Sequence, residues 1–156
     1  MQHITSAEWE VMRVVWASGT IKSSDIIAVL GQKFQWSNST IKTLIGRLMD
    51  KKALGAYREG RAYIYHALVD ETELQKAALA AVLDSICQRK HAELLLSRLY
   101  DLPMTSADIA DFQVLLETKK EKTVTQVPCN CLPGQCHCQK KEDINAVSYT
   151  HLRAHE

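Results

Sequence analysis

Residues 37–50 constrain this chain more than any other stretch. Ile41, Leu44, Ile45, Leu48 and Met49 recur there at i, i+3, i+4, i+7 and i+8, which makes one apolar stripe along a helix. Between them stand Ser39, Thr40, Lys42, Thr43, Gly46, Arg47 and Asp50, a face of small, polar and charged groups. Such a helix has to lay one side on a core and leave the other open. The residues before it supply that core. Thr5, Ser6, Ala7 and Glu8 have capping-box form, in which a hydroxyl and a carboxylate three residues on satisfy the free N–H groups of a helix start. Trp9, Met12 and Trp16 follow at helical spacing, and Gly19 ends that element. Ser23 or Ser24 then starts a short second helix carrying Ile26, Val29 and Leu30, closed by Gly31. After the third helix, Tyr63, Ile64 and Tyr65 favour a strand and Glu59-Gly60 a tight turn, so residues 54–68 read as a two-stranded hairpin with a basic tip.

Three helices followed by a hairpin are the order of a winged helix-turn-helix, mainly α with a small β element. In a helix-turn-helix the N-terminal part of the second helix of the motif meets the base edges of the major groove. Ser39, Thr40, Lys42, Thr43 and Arg47 are therefore the candidate contacts on the helix, with Arg58 and Arg61 on the wing. A net charge of +1 excludes a globally basic nucleic-acid binder. The charge is unevenly placed, however. Residues 22–61 hold eight Lys and Arg against three acids, an excess suited to phosphate contact and hence to salt-sensitive affinity. Trp36 reads as a core residue at the start of the third helix.

Residues 71–118 read as helical. Asp70 can cap a helix running to about Arg89, whose apolar residues cover more than one stripe and so need cover on two sides. Leu94, Leu95, Leu96, Leu99 and Tyr100 follow, Pro103 punctuates, and Thr105 with Asp108 can cap a last helix carrying Ile109, Phe112, Leu115 and Leu116. A region this short and this aliphatic does not bury itself comfortably, and a symmetric dimer is the natural cover. The expected organisation is a DNA-binding domain at 1–70, a dimerisation region at 71–118 and a linker with a cysteine tail at 119–143. Residues 144–156 read as a disordered or non-native extension.

Four of the five cysteines, Cys129, Cys131, Cys136 and Cys138, fall within ten residues with the spacing C-x-C-x4-C-x-C. Pro133-Gly134 between the pairs can turn the chain and bring them together. The first residues lack the basic-then-apolar pattern of a signal peptide, which points to the cytoplasm, where such a cluster is a metal site rather than a disulfide framework. Four thiolates can close a tetrahedral site around Zn(II), and soft thiolates also select Cu(I). C-x-C is tighter than zinc-finger spacing, which tilts the choice towards a clustered soft metal. His137 reads as a spacer, and Cys87, in an apolar helical pattern, as a buried small hydrophobe.

These stretches resemble the penicillinase- and methicillinase-repressor (BlaI/MecI) family of winged-helix repressors. The resemblance rests on residues 7–16 (AEWEVMRVVW), 39–48 (STIKTLIGRL), 51–54 (KKAL) and the wing at 59–65 (EGRAYIY). With its C-x-C-x4-C-x-C tail the chain is similar to the copper-responsive, CopY-type branch. That resemblance implies a cytoplasmic homodimer on a palindromic double-stranded operator of a copper-export operon. Zn(II) at the tail thiolates favours the bound form, Cu(I) displaces it and releases the operator, and a copper chaperone is the implied partner for handing over the metal. The family's recognition residues carry over to Ser39, Thr40, Lys42, Thr43 and Arg47, and the branch's ligands to Cys129, Cys131, Cys136 and Cys138. Residues 148–156 match nothing in the family.

Two other readings stay open: a Zn- or Cd-responsive repressor using the same thiolates, and a metal storage or transfer protein whose helices only dimerise. An enzyme is not expected, because HExxH, P-loop, nucleophile-elbow and paired-carboxylate patterns are all missing. No apolar run approaches the ~18–20 residues of a membrane span.

Overall fold

Thr5 starts the first helix as its sequence requires. Its hydroxyl accepts from the Glu8 N–H at 3.2 Å, and the Glu8 carboxylate accepts from the Thr5 N–H at 2.9 Å. Helix α1 (Ser6–Ser18) ends at Gly19, whose φ of +73° lets the chain leave the helix. The computed structural model describes residues 3–138. They form two units, one ending at Ala77 and the other beginning at Ala78.

In the first unit the chain continues through β1 (Thr20–Lys22), α2 (Ser23–Phe34), α3 (Asn38–Asp50), β2 (Leu54–Glu59) and β3 (Ala62–Ala67). The sheet is antiparallel in the order β1-β3-β2. The expected hairpin is therefore a three-stranded sheet. β1 lies on β3 with Ile21 opposite Tyr65, and at three residues it is too short to show an alternating pattern. The hairpin pairs Glu59 with Ala62, so its two-residue loop is Gly60-Arg61, one position later than expected. Gly60 supplies the positive φ, +61°, that a tight hairpin loop needs at its first position.

Helix α2 does not stop at Gly31. It runs on through Phe34, and Gln35 closes it in the left-handed region with its N–H on the Gly31 carbonyl at 2.9 Å. Phe34 then stacks on Trp36 at 4.6 Å, and both pack against the core, as expected for Trp36. Helix α3 ends in a Schellman arrangement. Lys52, φ +57°, donates to the Met49 carbonyl and Ala53 to the Leu48 carbonyl, each at 2.9 Å.

Three helices share one core. Val11, Met12 and Val15 of α1 meet Ile26 and Leu30 of α2 and Ile41, Leu44, Ile45 and Leu48 of α3, and Leu54 and Leu74 close it. Met49 and Val29, expected on buried faces, are exposed, so the buried stripe of α3 is four residues rather than five. A buried ion pair also joins α1 to the end of α3. Lys51 Nζ donates to Glu8 Oε2 and to the His3 carbonyl, both at 2.6 Å.

Helix α4 (Glu71–Asp84), capped by the Asp70 carboxylate on the Glu73 N–H, ends five residues earlier than the pattern suggests. Ser85 N–H is shared between the Ala81 and Val82 carbonyls, and Cys87 is extended (φ −52°, ψ 126°), which breaks the helix although Leu83 and Ile86 continue its apolar spacing. A 3-10 turn (Gln88–Lys90) leads into α5 (His91–Tyr100), and Thr105 with Asp108 forms the second capping box at the start of α6 (Ser106–Lys120). Neither α5 nor α6 buries a residue, and Leu95, Leu96, Ile109, Leu115 and Leu116 are all exposed. No described helix is long and apolar enough to cross a membrane. The expectation for residues 144–156 lies outside the described residues.

Candidate nucleic-acid interface and metal centre

The buried stripe of α3 turns its other face outward. Ser39, Thr40, Lys42, Thr43 and Arg47 are all exposed. Ser37, the N-cap, organises the hydroxyls: its Oγ accepts from the Thr40 N–H at 3.2 Å and lies 2.9 Å from Thr40 Oγ1 and 3.1 Å from Ser39 Oγ. Thr43 Oγ1 donates to the Ser39 carbonyl at 2.9 Å. These bonds set rotamers while leaving hydroxyl oxygens open as acceptors. Lys42 and Arg47 make no ion pair with a described residue.

The basic excess of residues 22–61 is only partly available. Lys33 pairs with Glu10 at 3.1 Å and lies over the Phe34 ring, and Lys51 is taken by Glu8. Both acids come from α1, outside the basic window, so a count along the chain overstates the free charge. On the wing Arg58 Nε donates to the Gly60 carbonyl at 3.1 Å, which folds it over the loop, while Arg61 is exposed at the tip.

Glu8 is 1% exposed, and burial alone would raise its pKa. The Lys51 ammonium and the Thr5 hydrogen bonds outweigh that, and the carboxyl sits below its ordinary 4.5.

In the second unit the tail folds on a turn of the expected kind. Gln135 N–H donates to the Leu132 carbonyl at 3.0 Å, Pro133 and Gly134 occupy the corner, and Gly134 takes φ +89°. The Gln135 Oε1 in turn accepts from the Leu132 N–H at 2.8 Å. This brings the cysteine pairs together, with Cys129 Sγ 3.4 Å from Cys136 Sγ. The unexpected member is Cys87. It is buried, as expected, but its neighbours are thiols: its Sγ lies 3.8 Å from Cys129 and 3.6 Å from Cys138. The sulfurs of Cys87, Cys129, Cys131 and Cys136 all fall within 4.8 Å of one another. A cation held by four sulfurs at ~2.3 Å in a tetrahedron sets those sulfurs ~3.8 Å apart, so the spacing fits a thiophilic ion. His137 is exposed and outside that group.

Crowding splits the titration of Cys87, Cys131, Cys136 and Cys138. The Cys138 N–H and the Cys129 sulfur bring Cys136 down to about 7, and the Arg89 N–H lowers Cys87. Burial drives Cys131 up to about 12, and the Cys87 sulfur does the same to Cys138. A metal that takes several of these sulfurs has to displace protons, so its affinity rises with pH.

The three-helix core, the sheet with its β2–β3 wing and the exposed hydroxyl and basic face of α3 define a winged-helix DNA-binding protein. More narrowly, the chain belongs to the penicillinase repressor family, whose model matches residues 4–118. It is 40% identical over 139 residues to an uncharacterized 16.5 kDa protein in the ptsI 3' region of Latilactobacillus sakei, covering 89% of this chain and 95% of that one. It is 29% identical over 119 residues to the penicillinase repressor of Bacillus licheniformis, covering 76% and 93%. Among solved structures it is similar to the Bacillus licheniformis BlaI monomeric form in complex with the blaP half-operator, at 38% identity and a TM-score of 0.42 over 46% of this chain and 88% of that one. The family is one of transcriptional repressors, not of enzymes.

Proposed function

We propose that this chain is a copper-responsive repressor, which binds a palindromic operator as a homodimer with Zn(II) at its tail and releases it when Cu(I) takes the thiolates. One observation carries the reading: a repressor of this family bears a tail that gathers cysteine sulfurs at metal-ligand spacing beyond its matched region. Ser39, Thr40, Lys42, Thr43 and Arg47 would meet base edges and phosphates in the major groove, and Arg58 and Arg61 the backbone beside it. The exposed leucines of α5 and α6 favour a second copy as their cover. Two heads on one dimer would then read half-sites about one helical turn, ~34 Å, apart. Zn(II) and Cu(I) differ in preferred geometry, so exchanging them can bias the dimer between two arrangements. A coupling of about 1–3 kcal/mol changes operator affinity by about 5–150-fold.

Serine at positions 129, 131, 136 and 138 together tests the metal half of this reading. Such a protein should still shift an operator duplex but show no response to Cu(I) in an anaerobic gel-shift titration. Release of the duplex by Cu(I) at wild-type concentrations would place the sensor elsewhere. Release of wild-type protein by Cd(II) or Zn(II), with no effect of Cu(I), would favour a different metal signal at the same thiolates.

A further inference from the structure

Cys87 is the one cysteine that the tail motif does not include. It stands at the corner between α4 and α5, 42 residues before Cys129, and is the only buried apolar side chain among the described residues of the second unit. The tail is tied to this corner beside it. Gln88 N–H donates to Asn130 Oδ1 at 2.8 Å, and Arg89 Nε donates to the Val127 carbonyl at 2.7 Å. Asn130 is the spacer between Cys129 and Cys131, so the first cysteine pair is held against the corner by a bond from its own centre. Cys87 Sγ then lies 3.8 Å from Cys129 Sγ, the edge length of a metal–thiolate tetrahedron.

We propose that Cys87 is a metal ligand, completing with Cys129, Cys131 and Cys136 a four-thiolate site for a zinc-type divalent ion. Cys138, 3.6 Å from Cys87, is the reserve thiolate beside that set. The proposal rests on the reading that the tail binds metal, and it adds what the tail motif alone lacks, a connection to the helices. An ion held only by the tail would order the tail and nothing else. An ion that also takes Cys87 cross-links the tail to the α4–α5 corner, so a change of metal is felt there directly. Each thiol that ligates releases its proton to solvent.

Co(II), whose sulfur-to-metal absorption scales with the number of thiolates, is the probe, used anaerobically on the full chain. In Cys138→Ser three tail thiols remain, and the absorption should still be that of four thiolates. In Cys87→Ser/Cys138→Ser it should fall by about a quarter, to the three-thiolate level. In the Cys138→Ser background, chelator competition should show Zn(II) bound at least about tenfold more weakly when Cys87 is also serine, and equally weakly when it is alanine, which keeps an apolar group in the corner and so separates ligation from packing. A three-thiolate spectrum in Cys138→Ser, or a Zn(II) affinity unchanged from Cys138→Ser when Cys87 is also replaced by serine or alanine, would overturn the proposal while leaving a metal-binding tail. Undiminished Co(II) uptake in Cys129→Ser/Cys131→Ser would overturn the tail reading as well.

Discussion

Replacing Lys51 with alanine should cost the DNA-binding unit about 3–5 kcal/mol of stability, the usual consequence of leaving one partner of a buried ion pair uncompensated. The geometry puts this pair in the buried class. The Glu8 side chain is 1% exposed, that of Lys51 is 16% exposed, and they meet at 2.6 Å. Glu8 Oε2 also serves the Thr5 N–H, so the same carboxylate caps α1 and receives the end of α3. Without Lys51 a charge stays in the protein interior with only backbone and hydroxyl partners. The pH dependence gives a second readout. In the native chain the Glu8 pKa lies below 4.5, so its contribution is present above the unfolded value and lost as pH falls through the folded one. In Lys51→Ala only the Thr5 bonds still offset burial, the folded pKa rises from its native position, and the difference from the native chain should shrink on mild acidification. Urea unfolding at pH 7 and near pH 5 measures both. A loss under about 1 kcal/mol, typical of a surface pair, would show that the pair is effectively solvated.

The second large effect concerns DNA. Lys42→Ala/Arg47→Ala should weaken operator binding at least about 30-fold, or about 2 kcal/mol, since single base-edge or phosphate contacts contribute about 1–3 kcal/mol each. Both side chains are exposed and outside the core, so folding should be unaffected. The slope of affinity against salt should also become shallower, because fewer phosphates are neutralised. Sedimentation should give the same oligomeric state as the wild-type chain. Operator affinity equal to wild type would remove α3 as the reading helix, and a changed oligomeric state in the variant would tie these residues to assembly instead.

Local signals in the chain carried the capping boxes at Thr5 and Thr105, the stripe of α3, the β2–β3 pairing and the Pro133-Gly134 turn. Each is decided by residues within a few positions of one another. What escaped a reading along the chain depends on distant partners or very short segments. β1 has three residues and exists because β3 offers an edge. The end of α4 is hidden by an apolar pattern that runs through the break. Glu8 looked like a cap and Lys51 like part of a basic patch, because their pairing spans 43 residues. Along the chain Cys87 reads as a buried small hydrophobe, because its thiol partners lie 42 and 51 residues away. A lone cysteine near a helix break, in a chain whose other cysteines form a cluster, was the available signal.

In the repressor proposed above, α3 reads DNA, the thiolates take metal, and the two are coupled. The most direct measurement follows a fluorescent palindromic duplex by anisotropy while Cu(I) is added anaerobically to the zinc-loaded protein, with bound metal quantified at each point. Anisotropy should fall to the free-duplex value as Cu(I) replaces Zn(II) on the protein. Complete replacement of Zn(II) by Cu(I) with the duplex still bound would contradict it.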